Sequence, residues 1–146
     1  SVAEAPSVVG ASGATASPHL EPVALDFLRS DSFAPALAGV SGVFLLRPPA
    51  IADVKSTLVP FLDAAAAAGV EHVVFLSVAG AGTNKLVPHH AVEAHLAAGP
   101  LSWTIQRPGF FAQNLGDAYL RDIVEDDRLY VPAGHRGVTF VDVRDL

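Results

Sequence analysis

Residues 70–76 and 101–106 are two short, almost continuous apolar runs, and a helical pattern lies between them. A strand that is apolar on both sides needs cover on both faces, which is the requirement of a parallel sheet sandwiched between helices. The residue types that stop these runs are as informative as the runs. The first ends at Ser77-Val78-Ala79, and the second ends at Arg107-Pro108-Gly109 followed by Phe110 and Phe111. In open sheets of this kind a ligand sits in the crevice outside the carboxyl ends of the strands. The polar, aromatic and glycine residues of this chain gather at those ends.

Other segments extend the alternation. Residues 7–9 read as a short strand entering a loop of small residues, and 21–27 as a strand ending at Asp26. Ser30 or Asp31 caps a short helix that ends near Gly39, with Pro35 held to its first turn. Residues 42–46 form a third strand, halted by Arg47-Pro48-Pro49. A helix over 51–68 restarts at Pro60 and closes at Gly69, which supplies the left-handed residue. Residues 87–98 are helical up to Gly99-Pro100. After the strand at 102–106, a helix is expected from about 111 to 124, then short extended pieces at 129–131 and 138–141. Strands alternating with helices in this way give an α/β fold with a doubly wound, mainly parallel sheet.

One stretch is too short. Eleven residues separate Gly10 from Pro22, with Pro18 among them, whereas a parallel crossover takes at least ~10–12 residues without its strands. The expectation is an incomplete domain, lacking a helix and a strand near Ser17 and a portion beyond the end at Leu146. The whole of 1–146 then reads as one α/β domain, with a small further region starting at about 107 on the side where a ligand would sit.

Composition removes several function classes. A formal net charge of −6 with scattered basic residues argues against a nucleic-acid surface. No window approaches the ~18 apolar residues of a membrane span, and no basic stretch precedes an apolar core as in a signal peptide. Zero cysteines exclude disulfides and thiol chemistry. A cytoplasmic protein acting on a small molecule, as a monomer or homodimer, is the expectation.

Several stretches together resemble the NmrA-like branch of the atypical short-chain dehydrogenases/reductases. They are Val8 to Thr15, Pro22 to Asp26, Ala36 to Leu46, Ala68 to Ser77, His90 to Leu96, Trp103 to Asn114 and Phe140 to Asp145. The resemblance implies a Rossmann-type fold that binds NADP or NAD. It further implies either a reductase of quinone-like or azo acceptors or a silent redox sensor that reports to a protein partner.

Under that resemblance Gly10, Ser12, Gly13, Ala14 and Thr15 cradle the pyrophosphate, the glycines giving the tight turn and the close backbone approach. A second reading makes Ser7 to Ser12 the remnant of a second strand, in which case the phosphate loop is not in this sequence. Asp26 and Phe27 lie toward the adenine, although an Asp here also forms turns by bonding its own backbone two residues on. Arg47, Pro48, Ser77, Val78 and Ala79 follow strands toward the ribose and nicotinamide, and Pro108 and Phe110 continue that rim. Phe110, Phe111 and Asn114 form a substrate pocket in which an aromatic ring stacks and the amide bonds it.

The superfamily's Tyr-x-x-x-Lys proton donor has no counterpart, since Ile123 and Gly134 stand four residues after Tyr119 and Tyr130. His89 and His90 are the candidate catalytic groups in its place. Helix-capping or partly exposed histidines explain them as well. His89, His90, Glu93 and His95 do not share the spacing of a zinc site, so no metal is expected. The resemblance further implies that Arg107 pairs with an Asp or Glu nearby, Glu93 being the candidate, and so holds the strand end closed.

Overall fold

The computed structural model describes residues 20–129 and 137–146. Strands β1 (Gly42–Leu46), β2 (His72–Leu76) and β3 (Ser102–Gln106) form a parallel sheet in that order, joined through helices α2 (Leu58–Ala67) and α3 (Pro88–Ala98). Helix α1 (Phe33–Leu37) precedes them. Beyond lie β4 (Phe110–Phe111), α4 (Leu120–Asp126) and β5 (Phe140–Val141), with β4 and β5 paired in parallel as a second small sheet.

The register explains which side chains are buried. Val43 lies beside Val73, and Leu45 beside Phe75, and paired residues of a parallel ladder share a face. On that face Leu45, Val73 and Phe75 join Leu58, Phe61, Leu62 and Ala65 of α2 and Val92 and Leu96 of α3 in one core. Phe27 and Phe33 close its edge, each ring meeting Phe61 edge-on at 5.2 and 5.5 Å. On the opposite face Phe44 and Leu46 are exposed. The described helices therefore cover one side of a Rossmann-like sheet.

Gly69 ends α2 as expected. It sits at φ +86°, and the Gly69 and Val70 amides donate back to the Ala66 and Ala65 carbonyls at 3.2 and 3.0 Å. A side chain at that φ is strained, so glycine is the residue the stop requires.

Three expectations change. Residues 21–27 form no strand: the Arg29 amide donates to the Asp26 carbonyl and the chain turns there, with no described neighbour for a ladder. The helix expected over 51–68 begins only at Leu58, because Asp53 draws Ser56 and Thr57 into a turn before it. Pro60 thus falls in the first turn, where its missing N–H costs no bond. The helix expected from 111 to 124 is a strand, a 3-10 turn over Ala112–Gly116, and then α4. Pairing with Thr139 and β5 holds Phe110 and Phe111 extended.

Candidate functional site

The exits of β2 and β3 remain bonded beyond the sheet. The Ser77 amide donates to the Gln106 carbonyl at 2.8 Å, and the Ala79 amide to the Pro108 carbonyl at 3.2 Å. Gly80, at φ +84°, then turns the chain away. Pro108 lacks an N–H and ends the ladder, after which Gly109 passes very close to the second sheet. A Cβ on Gly109 would stand 2.3 Å from the Thr139 carbonyl oxygen, inside any allowed contact. Only glycine lets the Phe110 amide donate to that same oxygen at 2.8 Å.

These segments border an open cavity of about 660 Å³, within the size range of small-molecule and cofactor sites. Ser77, Val78 and Ala79 form one wall. Pro108, Gly109, Phe110, Phe111 and Asn114 form the second, and Gly137, Val138 and Thr139 the third. The cavity thus gathers seven of the expected site residues at the carboxyl ends of parallel strands. Among the described residues its lining carries no titratable side chain. Phe110 is wedged between Phe140 and Tyr119, with ring centroids 5.2 and 5.4 Å away.

The other expected residues stand elsewhere. Gly10, Ser12, Gly13, Ala14 and Thr15 lie outside the described residues. The Asp26 carboxylate accepts from the Leu28 amide at 2.9 Å, so the side chain stabilises its own turn, and Phe27 packs on Phe61. Arg47 curls onto its own loop, donating to the carbonyls of Pro48, Pro49 and Ile51, and its Nε points at His89 Nε2 from 3.3 Å. Pro48 belongs to that closed loop.

His89 and His90 do not line the cavity. His89 is buried against Phe75, with ring centroids 6.0 Å apart. Burial, reinforced by the Arg47 guanidinium, holds its pKa below the ordinary imidazole range, against a smaller opposing pull from Glu93. The neutral ring accepts at Nε2 and so carries its proton on Nδ1, which has no hydrogen-bond partner among the described residues. His90 Nδ1 lies 2.8 Å from the Ala81 carbonyl, and His95 pairs with Asp63. The four residues weighed as metal ligands therefore turn to separate partners.

Glu93 is the deepest charge of the site region. Its carboxylate accepts from Ser77 Oγ at 2.5 Å and from Arg107 Nε and Nη2 at 2.9 and 2.8 Å. The bonds from Arg107 hold its pKa below the ordinary carboxylate range, against the opposing effect of burial. Sequence reasoning anticipated the Arg107 pairing but missed Ser77, whose hydroxyl is turned inward and away from any ligand. It also missed Gly109 and residues 137–139. The extended pattern at 138–141 was the available signal, without a sign of what it would meet.

The fold has counterparts of known structure. Two structures of Citrobacter sp. triphenylmethane reductase, one complexed with NADP(H), align with TM-scores of 0.58 and 0.61 at 24% identity. The alignments cover 69% and 75% of this chain and 37% and 40% of theirs. At that identity the likeness concerns the fold. In sequence, the NAD(P)H azoreductase of Xenophilus azovorans is 32% identical over 115 residues, 76% of this chain and 40% of that protein. Prestalk A differentiation protein A of Dictyostelium discoideum is 26% identical over 121 residues, 83% of this chain and 39% of its own length. The chain thus spans about two fifths of the length of these relatives. Among the described residues no helix is long and apolar enough to cross a membrane. Residues 9–132 match the family described as NAD(P)H-binding; with most of its length inside that match, the chain belongs to the NAD(P)H-binding family that its NmrA-like pattern implied.

Proposed function

We propose that the cavity at the ends of β2 and β3 receives the nicotinamide end of NADPH or NADH, in an oxidoreductase that reduces a small aromatic acceptor of quinone or azo type. The observation that carries this reading is the convergence of Ser77–Ala79 and Pro108–Phe111 on one apolar cavity at the carboxyl ends of parallel strands. The small residues Val78, Ala79 and Gly109 leave room for a flat ring and ribose there. The likeness to an azoreductase supports the acceptor class.

The bound dinucleotide would supply the hydride, which is chemistry no side chain here provides. The chain's own part is to bind, orient and exclude water. Pro108, Phe110, Phe111 and Val138 offer apolar surface against which an aromatic acceptor stacks, and the Asn114 amide offers a hydrogen bond to its polar substituent. We assign the Gly10 to Thr15 loop to the pyrophosphate and the Asp26–Phe27 turn to the adenine side. Arg47 and Pro48 contribute by shaping the loop after β1, since the Arg47 guanidinium is already engaged. His89 and His90 serve this site through packing and bonding rather than as proton donors, because neither reaches the cavity. The substrate-side region begins at about residue 107, and the protein works in the cytoplasm.

A second reading has an observation of its own. With no titratable side chain in the described lining, the same site suits a sensor that binds the dinucleotide, performs no reduction and reports to a protein partner. Titration with NADPH and NADH, followed by loss of the reduced-nicotinamide absorbance with a panel of quinones and azo dyes, separates the two. Binding with turnover supports the reductase, binding with no acceptor reduced supports the sensor, and no binding of either nucleotide removes both.

A further inference from the structure

We infer that Glu93 is a positioning residue for the dinucleotide site, acting through Ser77 and Arg107 to hold two of the cavity's walls in register; this rests on the proposed reading that the cavity binds NADPH or NADH. The three groups come from three elements: the β2 exit, α3 and the β3 exit. One carboxylate ties them together, with Oε1 accepting from both Ser77 Oγ and Arg107 Nε and Oε2 from Arg107 Nη2.

The junction lies at the start of each wall, at Ser77 on one side and one residue before Pro108 on the other. Ser77 and Glu93 are only 2% and 5% exposed; Ser77 borders the cavity, but its hydroxyl is spent on Glu93, and Glu93 itself is not among the lining residues. Immediately downstream, Val78 and Ala79 on one strand and Pro108 to Phe110 on the other are lining residues. The backbone bonds Ser77 N to Gln106 O and Ala79 N to Pro108 O run between those walls. A shift of Ser77 against Arg107 therefore alters the separation of the walls, and Glu93 is the side chain that fixes both ends of that separation. The Arg107 guanidinium is further packed over Gly82, where a Cβ would stand 3.2 Å from its carbon. That packing limits the directions in which Arg107 can follow a displaced Glu93.

Geometry a cofactor must meet is sensitive to errors of about an ångström. The role thus predicts a loss of affinity larger than the loss of fold. The test compares the protein with its Glu93→Gln, Ser77→Ala and Glu93→Gln/Ser77→Ala variants, using NADPH titration well below the thermal transition. Hydrogen exchange at the Ser77 and Ala79 amides is followed in parallel. Glu93→Gln is expected to weaken NADPH binding by about tenfold, with faster exchange at those amides and an unchanged far-ultraviolet spectrum. Ser77→Ala is expected to lose about threefold. The double variant should be no weaker than Glu93→Gln, since both changes cut one network. Affinity unchanged in Glu93→Gln, or losses that simply add, overturn the inference and leave the proposed function standing. Should Glu93→Gln not fold, Ser77→Ala decides by itself, and an affinity equal to wild type overturns it. Failure of the wild-type protein to bind either nucleotide removes the proposed function and this inference together.

Discussion

The two parallel sheets border the same cavity and are held by opposite means. On its helix-covered face the three-stranded sheet is sealed: Phe75, Val73 and Leu45 lie buried beneath α2 and α3, and the Glu93 junction stands at the margin of that core. In the two-stranded sheet no residue is fully buried, and Phe140 is 47% exposed. Its junction is Gln113 with Asp142 and Arg144, all reachable by water apart from part of the Asp142 side chain. Similar hydrogen bonds thus hold both walls, but water competes for those of the second. The first wall is anchored by buried contacts and the second by exposed ones.

The largest expected effect lies in the core. Phe75→Ala leaves a ring-sized void in a fully sealed position, costing about 3–5 kcal/mol and lowering Tm by roughly 10 °C. Phe140→Ala, in the second sheet, removes a ring already half in water and should cost about 1 kcal/mol. Urea denaturation of both variants checks this. Equal losses would erase the distinction between the sheets.

Gly109→Ala probes the seam where the two walls meet. Its new methyl would collide with the Thr139 carbonyl, and backbone cannot give way as a flexible side chain does. Because the second sheet is weakly anchored, we expect it to move while the core stays folded. NADPH affinity should fall by about tenfold, while the thermal transition shifts by only a few degrees for an overpacking cost of about 1–3 kcal/mol. Full retention of affinity would show that the seam does not shape the site.

How much of this was legible in the sequence divides along the same line. The first sheet was readable because its signals are local: an apolar strand, an alanine-rich helix, Gly69 as a stop, and a strand ending at Pro108. The pairing of Phe110 with Phe140 leaves no such trace, since a parallel pair of two residues per strand has no periodicity and a long connection intervenes. The Pro108-Gly109 step reads as a turn, whereas the need for glycine comes from a carbonyl thirty residues further on. Arg47 looked free to meet a ribose because its acceptors are backbone oxygens and a histidine forty-two residues away. Asp26 was readable in two ways, and the geometry displays the turn-forming one.

His89 offers a test by pH. Its pKa is lower in the folded chain than in the unfolded chain, so the unfolded state takes up the proton first as pH falls. Stability from this residue is complete above about pH 6.5, the unfolded value, and is lost as pH drops toward the folded value. Wild type should therefore weaken between pH 7 and 5 more steeply than His89→Leu, which cannot titrate and removes the unpartnered Nδ1. Parallel slopes in urea denaturation would mean that water reaches the ring and that the first wall is looser than its packing indicates.

The smallest effect is expected at the junction of the second sheet. Bonds from Arg144 hold the Asp142 carboxyl well below the usual carboxylate range, with help from the Arg144 amide and Gln113. That depression reflects close contacts, yet Arg144 is exposed and surface ion pairs of this kind contribute little to folding. Asp142→Asn should leave the thermal transition almost unmoved. What it removes is charge and one acceptor at the point where Gln113 ties the 3-10 turn behind Phe111 to the chain after β5, through Asp142 Oδ1 and the Val143 amide. The consequence belongs to local opening rather than global unfolding. Faster hydrogen exchange at the Phe110 amide, with none at Ala79, would show the second wall opening alone. Raising the salt concentration should bring wild type toward the variant at Phe110 only. A large fall in Tm instead would place Asp142 among the contacts that hold the whole fold and undo the contrast between the walls.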